Sequence, residues 1–75
     1  MKTCMIQTEF IRLDALLKFA GLTQSGGEAK CLIAEGDVML NGEVCIQRGK
    51  KCRPGDVVQI RDMQVHIVRD LHADT

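Results

Sequence analysis

The stretch RLDALLKFAGLTQSGGEAKCLIAEGDVMLNGEVCIQRGKKCRPGD, residues 12–56, carries the signals that decide the fold. Up to Gly36 its apolar residues recur with the 3.6-residue period of a helix. After Gly36 they alternate with the two-residue period of a strand. The stretch therefore predicts helices in its first half and a sheet in its second half.

The first half contains two amphipathic helices. The first is predicted over residues 12–20, and Gly21 is suited to ending it in a left-handed conformation. Its apolar stripe, at positions i, i+3, i+4 and i+7, consists of Leu13, Leu16, Leu17 and Ala20. Ser25 followed three residues later by Glu28 is the pattern of a capping box, so the second helix is predicted from Ser25 to Gly36. Because the connection is short, we expect the two helices to pack as a hairpin.

The second half and the end of the chain have the pattern of short strands. Asn41-Gly42 is the strongest short signal for a hairpin turn, and Pro54-Gly55-Asp56 marks a second turn. Residues 1–8 alternate weakly and are expected to form an extended lead-in or an edge strand. The apolar residues that indicate the other strands are Val38 and Leu40, Val44 and Ile46, Val58 and Ile60, and Val65, Ile67 and Val68. The predicted fold class is α+β, with the helical hairpin packed on a small, strongly bent antiparallel sheet.

The chain of 75 residues has the length of one small domain. A domain of this size buries only about 60% of the surface that its unfolded chain exposes, so little interior remains for a deep catalytic pocket. We expect residues 1–75 to form a single domain, with its core within residues 10–62 and a frayed tail at residues 69–75. No nucleophile–base or paired-carboxylate arrangement can be argued, so a binding module is favoured over an enzyme.

The composition predicts an aliphatic core. Hydrophobic residues make up 45% of the chain, yet Phe10 and Phe19 are its only aromatic residues. Because the chain has no Trp or Tyr to stack on bases, we expect a nucleic acid partner to be held by its backbone and its shape.

The cysteines and the start of the chain indicate a reducing compartment. The first twenty residues include Glu9, Arg12 and Asp14 and no long apolar run, so neither a signal peptide nor a membrane span is expected. A cytoplasmic protein without a membrane partner is predicted. The cysteines, at positions 4, 31, 45 and 52, lack the spacing of a zinc site and are expected to be buried thiols. His66 is expected to face solvent and His72 to lie in the tail, so neither a metal nor a cofactor is predicted.

Charge is concentrated on a neutral background. Ten basic and ten acidic residues cancel, yet the segment from Val44 to Gly55 has four cations and no acid. The four cations are Arg48, Lys50, Lys51 and Arg53. We call residues 48–53 the basic loop. A charged segment that is only a solvated surface usually mixes both signs, so a segment of one sign favours an anionic ligand.

The start of the second helix is another candidate for anion binding. Gly26 and Gly27 have no side chains to shield the unpaired amides of the first turn, and Lys30 lies on the same side of the helix one turn later. Alternatively, the two glycines only allow close approach of the first helix. The sequence is consistent with both interpretations.

The order of these motifs resembles the RNA-binding domain named after small-subunit ribosomal protein S-four, also called the α-L motif. The matching segments are Arg12-Leu13-Asp14 with Leu17, Gly21-Leu22, Ser25, Ala29-Lys30, Leu32-Ile33, Gly36-Asp37-Val38, Leu40-Asn41-Gly42 and Pro54-Gly55-Asp56. The resemblance implies a helical hairpin on a bent sheet and binding of structured RNA, and the chain most resembles the small stand-alone YbcJ/YaaA-like bacterial proteins. Many members carry Arg after the capping Ser, where this chain has Gly26, whereas Arg12 and Lys30 match basic positions of the family.

Two functional hypotheses follow. The first is a small RNA-binding protein that engages ribosomal or transfer RNA through the start of the second helix and the basic loop, with the ribosomal subunit or other proteins as further partners. The second is a protein-interaction adaptor that docks an acidic partner on the same scaffold. The candidate RNA-binding residues are Arg12, Ser25, Gly26, Gly27, Lys30, Arg48, Lys50, Lys51 and Arg53.

Overall fold

The two predicted helices are both present. The computed structural model describes residues 2–70, with helix α1 at Leu13–Phe19 and helix α2 at Gly26–Ala34. After α1 the chain turns at Gly21, whose φ of 77° is the left-handed conformation that glycine adopts without strain. Leu22 N–H donates to the Leu17 carbonyl at 2.9 Å, and Leu22 packs against the core. This closes α1 and redirects the chain into α2.

Seven short strands form two sheets within residues 2–70. Their bounds are Lys2–Ile6 (β1), Ile11–Arg12 (β2), Val38–Leu40 (β3), Glu43–Val44 (β4), Lys51–Cys52 (β5), Val57–Ile60 (β6) and Met63–Arg69 (β7). The main sheet has the strand order β1-β7-β6-β3-β4, and β2 pairs with β5 in a separate ribbon. This ribbon joins the residues before α1 to the basic loop.

The main sheet is antiparallel except at one edge. β3 pairs antiparallel with β4 and β6, and β6 pairs antiparallel with β7, which agrees with the predicted antiparallel sheet. β1 is an edge strand but runs parallel to β7, with Lys2 opposite Val65 and Ile6 opposite Arg69, so the sheet is mixed and the antiparallel prediction is wrong at this edge. The weak alternation of residues 1–8 indicates a strand, but it carries no information about the direction of the neighbouring strand.

The hairpin between β3 and β4 turns at Asn41-Gly42, as predicted. The φ angles of these residues are 53° and 86°, the positive pair that a type I′ turn requires. The returning strand is shorter than expected, since β4 ends at Val44 and Cys45 N–H then donates to the Val38 carbonyl at 3.0 Å. Ile46, expected in this strand, is exposed in the connection to the basic loop.

The core is aliphatic, as predicted, and neither Phe10 nor Phe19 belongs to it. Its largest fully buried side chains are Leu13, Leu16, Leu17, Ile33, Ile60, Ile67, Val38, Val58, Val65 and Cys52. Cys4 of β1 and Ile67 of β7 are also buried, so the core extends beyond residues 10–62 on both sides. Pairing of β1 with β7 therefore adds buried area to a domain that has little to spare.

The end of β7 is tied to the sheet. Asp70 N–H donates to the Ile6 carbonyl at 2.8 Å, so the first two residues of the expected tail are held. Residues 71–75, including His72, lie outside the described residues. His66 alternates with its buried neighbours onto the other face of the sheet, where it is half-buried rather than fully exposed to solvent. Within residues 2–70, neither helix is long and apolar enough to cross a membrane.

Candidate nucleic-acid interface

The basic loop is fixed to the start of α1 through its backbone. The Lys50 carbonyl accepts from Leu13 N–H at 2.9 Å, and the Arg48 carbonyl accepts from Asp14 N–H at 3.0 Å. These amides are two of the donors that a helix leaves unpaired in its first turn, so the loop supplies the cap that the Arg12 side chain does not. The conformation of the loop therefore depends on α1, while its cationic side chains stay exposed.

Arg12 joins the basic loop through the β2–β5 ribbon. In that ribbon Arg12 is opposite Lys51, and Ile11 is opposite Cys52. A Cβ atom placed on Gly49 would lie 3.8 Å from Arg12 Nη2, so the guanidinium lies alongside the loop. We define the basic surface as Arg12, Arg48, Lys50, Lys51 and Arg53.

Asp14 and Phe10 orient two cations of the basic surface. Arg12 Nη2 forms an ion pair with Asp14 Oδ2 at 3.1 Å, and the Arg12 side chain remains 55% exposed. Because exposed ion pairs are weak, Arg12 can still attract a second anion. Lys51 Nζ lies 4.9 Å from the centre of the Phe10 ring, which is a cation–π contact at the surface.

The other end of the basic loop is held by Asp56 and Asn41. The Asp56 carboxylate accepts from Arg53 N–H at 2.8 Å and from Asn41 Nδ2 at 3.0 Å. Asn41 Oδ1 accepts in turn from Val57 N–H at 2.9 Å. Asn41 and Asp56 are therefore turn-forming residues, as predicted, and their mutual hydrogen bond links the two turns in a way that the sequence did not indicate.

Cys52 anchors the basic loop in the core. Its side chain is fully buried, and burial raises the pKa of the Cys52 thiol to about 12, with Asp56 and Cys45 adding to the shift. The structure has four free thiols, but Cys31 on α2 is exposed and Cys45 is only half-buried. The expectation that all the cysteines are buried is therefore wrong for Cys31, and Cys45 is only partly buried where it packs against the core.

The thiols are expected to react in the order of their exposure. Iodoacetamide should alkylate Cys31 first and Cys52 only after unfolding, because the thiolate is the reactive form and Cys52 is buried as the neutral thiol. Alkylation and zinc content are read by intact mass spectrometry, with Cys31→Ser as the control that removes the fast phase. A stoichiometric zinc ion, a disulfide or rapid alkylation of Cys52 would contradict this assignment.

The same thiol gives a pH dependence. The unfolded chain loses the Cys52 proton near the ordinary pKa of 9.0, whereas the folded chain keeps it until about 12. Between these two pKa values the folded state therefore binds more protons than the unfolded state. The stability that the protonated Cys52 thiol contributes is complete below pH 9.0 and is lost as the pH rises towards 12.

The start of α2 presents two unpaired backbone amides. The Ser25 hydroxyl accepts from Glu28 N–H at 3.1 Å, whereas the amides of Gly26 and Gly27 have no acceptor within residues 2–70. This is half of the predicted capping box, since no returning bond joins Ser25 N–H to the Glu28 carboxylate in that range. A Cβ atom at Gly26 would meet nothing within 4 Å, so close approach of α1 does not require this glycine and that alternative is wrong there.

A shallow groove connects the start of α2 with the basic surface. Its volume is about 270 Å³, and it is lined by Arg12, Asp14, Ala15, Lys18 and Gly26. Gly26 thus shares a groove with Arg12, which lies beside the basic loop. An anion in this groove would meet the positive end of a helix and two cationic side chains, one of which is already paired with the Asp14 carboxylate. We call it the phosphate groove.

Lys18 is a candidate binding residue that the sequence analysis did not identify. It lies one turn after Asp14 on the exposed side of α1, a spacing that places both in the same groove. Its proximity to Gly26 depends on how the helices pack, so the sequence offered no signal for it. Lys30 is exposed on α2 but does not line the groove.

Known proteins share this sequence pattern. The family model of the S4 domain matches residues 4–68. The probable ribosome maturation protein RlbA of Bacillus subtilis (strain 168) is 47% identical over 55 residues, which are 73% of this chain and 78% of RlbA. Small ribosomal subunit protein uS4 of Acaryochloris marina (strain MBIC 11017) is 36% identical over 58 residues, which are 77% of this chain but 29% of that relative.

A solved structure shares the fold. The solution structure of YbcJ from E. coli, described as revealing an α-L motif involved in RNA binding, matches with a TM-score of 0.71 and 33% sequence identity. The match covers 91% of this chain and 87% of YbcJ. The family model, the relatives and the fold thus confirm the resemblance seen in the motifs, and the chain belongs to the S4 domain family.

Proposed function

We propose that this protein is a non-catalytic module that binds structured RNA by its phosphate backbone, with ribosomal or transfer RNA as the partner. The observation that carries the proposal is the phosphate groove, where Arg12, Lys18 and the start of α2 meet beside the basic loop. Membership of the S4 domain family supports it. The descriptions of two similar proteins also support it. RlbA is named as a probable ribosome maturation protein, and YbcJ is described as having a motif involved in RNA binding.

The proposed surface depends on local charge, because the whole chain has no net charge. The basic loop is held by hydrogen bonds to α1 at one end and to Asp56 at the other. Its cations therefore need little ordering when they bind, which lowers the entropic cost of association. Contacts to phosphates fix the position of the RNA but do not read its sequence, so this surface recognises the shape of the RNA.

The ribosome is the proposed place of action. RlbA is named for ribosome maturation and uS4 is a ribosomal protein, although this chain corresponds to less than a third of uS4. Crosslinking in cells followed by sequencing of the bound RNA tests this directly. Recovery of ribosomal RNA supports action at the ribosome. Recovery of transfer RNA alone identifies transfer RNA as the partner instead. Capture of an acidic protein without RNA favours the adaptor hypothesis.

RNA binding is expected to weaken steeply with salt. If about four phosphates are contacted, the logarithm of the binding constant should fall against the logarithm of the salt concentration with a slope of roughly −3 to −4. Fluorescence anisotropy of a labelled ribosomal RNA fragment measures this slope. Lys2→Glu, outside the basic surface, is the control that should leave it unchanged. An affinity that is constant between low and high salt would contradict binding through phosphates.

A further inference from the structure

A second groove also borders α1, and its lining is mainly apolar. It has a volume of about 630 Å³, and its lining includes Met5, Ile11, Ala15 and Phe19, with Asp70 as its acidic residue. Phe19 is 64% exposed and Met5 is 56% exposed. In a chain with only two aromatic residues, both are left out of the core, although aromatic rings contribute most when buried. Exposed apolar surface of this kind is typical of interaction sites.

The apolar groove adjoins the phosphate groove at Ala15, which lines both of them. Phe19 follows Ala15 by one helical turn, so their Cβ atoms lie about 5–6 Å apart on the same side of α1. The other aromatic residue, Phe10, contacts Lys51 of the basic surface. Phe10 therefore contacts a cation of the basic surface, and Phe19 lies one turn from the residue that the two grooves share.

We propose that the apolar groove receives an unpaired base of the bound RNA, stacked on the ring of Phe19. This inference rests on the proposed function, because phosphates in the neighbouring groove bring the nucleotide to this position. Paired bases are stacked on one another within an RNA helix and offer no free face, whereas bases in bulges and loops splay out and stack on aromatic side chains. The preferred ligand is therefore an RNA helix interrupted by a bulge or loop. This proposal departs from the expectation that the RNA is held by its backbone and its shape, because Phe19 is exposed in the apolar groove.

Two RNA hairpins that differ by one nucleotide test the inference. One carries a single bulged 2-aminopurine, and the other has the same stem without the bulge. Because the chain has no Trp or Tyr, the fluorescence comes from the probe. Stacking should quench the 2-aminopurine, and the protein should bind the bulged hairpin at least about fivefold more tightly than the paired one. Phe19→Ala should abolish the preference and the quenching while leaving the affinity for the paired hairpin unchanged.

Two further variants control for structure. Phe19→Tyr keeps an aromatic ring and should keep the preference. Met63→Ala removes an exposed apolar side chain that lines neither groove, and it should change nothing. Equal binding of the two hairpins by the unmodified protein, or quenching that survives Phe19→Ala, would overturn the stacking inference alone. Failure to bind either hairpin at low salt would overturn the proposed function as well, so the two failures are distinguishable.

Discussion

Reversing the charge at Lys50 and Lys51 together is expected to lower the affinity for RNA by roughly 30-fold or more at low salt. Each charge-assisted contact to a phosphate is among the strongest hydrogen bonds that a protein makes, and the variant replaces two attractive charges by two repulsive ones. The loop backbone should be unaffected, since its hydrogen bonds to α1 come from the main chain. The affinity is measured by anisotropy at two salt concentrations, after circular dichroism has shown that the fold is retained.

The matched control is the double variant Lys2→Glu with Arg61→Glu. Both residues are exposed and neither belongs to the basic surface: Lys2 is in β1, and Arg61 lies in the turn between β6 and β7. Arg69 also lies outside the basic surface, but its side chain is half-buried in β7. Reversing its charge would disturb the sheet, so Arg69 is unsuitable as a control. An equal loss of affinity in the control would mean that RNA is attracted diffusely by any cation, and the assignment of the basic surface would then be wrong.

Replacing Gly26 by Arg is expected to raise the affinity for RNA about tenfold. Many S4-type domains carry Arg after the capping Ser, and a charge-assisted contact there contributes about 1.5–3 kcal/mol before solvent screening. The structure has room for the side chain, because a Cβ atom at Gly26 meets nothing within 4 Å. The new side chain would leave the backbone at the phosphate groove, because Gly26 lines this groove together with Arg12 and Lys18.

Gly26→Ala separates the effect of charge from that of helix stability. Both Ala and Arg favour a helix over Gly by up to about 1 kcal/mol, so both variants should unfold at a slightly higher temperature than the parent chain. Only the Arg variant should gain affinity. If Gly26→Ala gains as much, the effect comes from ordering of α2; if neither gains, phosphate does not bind at the start of α2.

The sequence by itself determined the local elements. Leu13, Leu16 and Leu17 mark the buried face of α1, and they are fully buried in the structure. Ser25 begins α2, and Asn41-Gly42 adopts the positive φ angles that its turn requires. These features follow from interactions between residues a few positions apart, which the periodicity and the turn chemistry of the chain record directly. The two helices, the turns and the aliphatic core were predicted for this reason.

Only the tertiary structure decided which residues distant in sequence lie next to each other. The direction of β1, the attachment of the basic loop to α1 and the meeting of Lys18 with Gly26 all join parts of the chain that no single motif spans. The exposure of Phe19 beside the phosphate groove is of the same kind. Such contacts are set by how α1 packs on α2 and on the β2–β5 ribbon, and by how β1 pairs with β7. Burial of the shared core selects that packing, and no local periodicity encodes it.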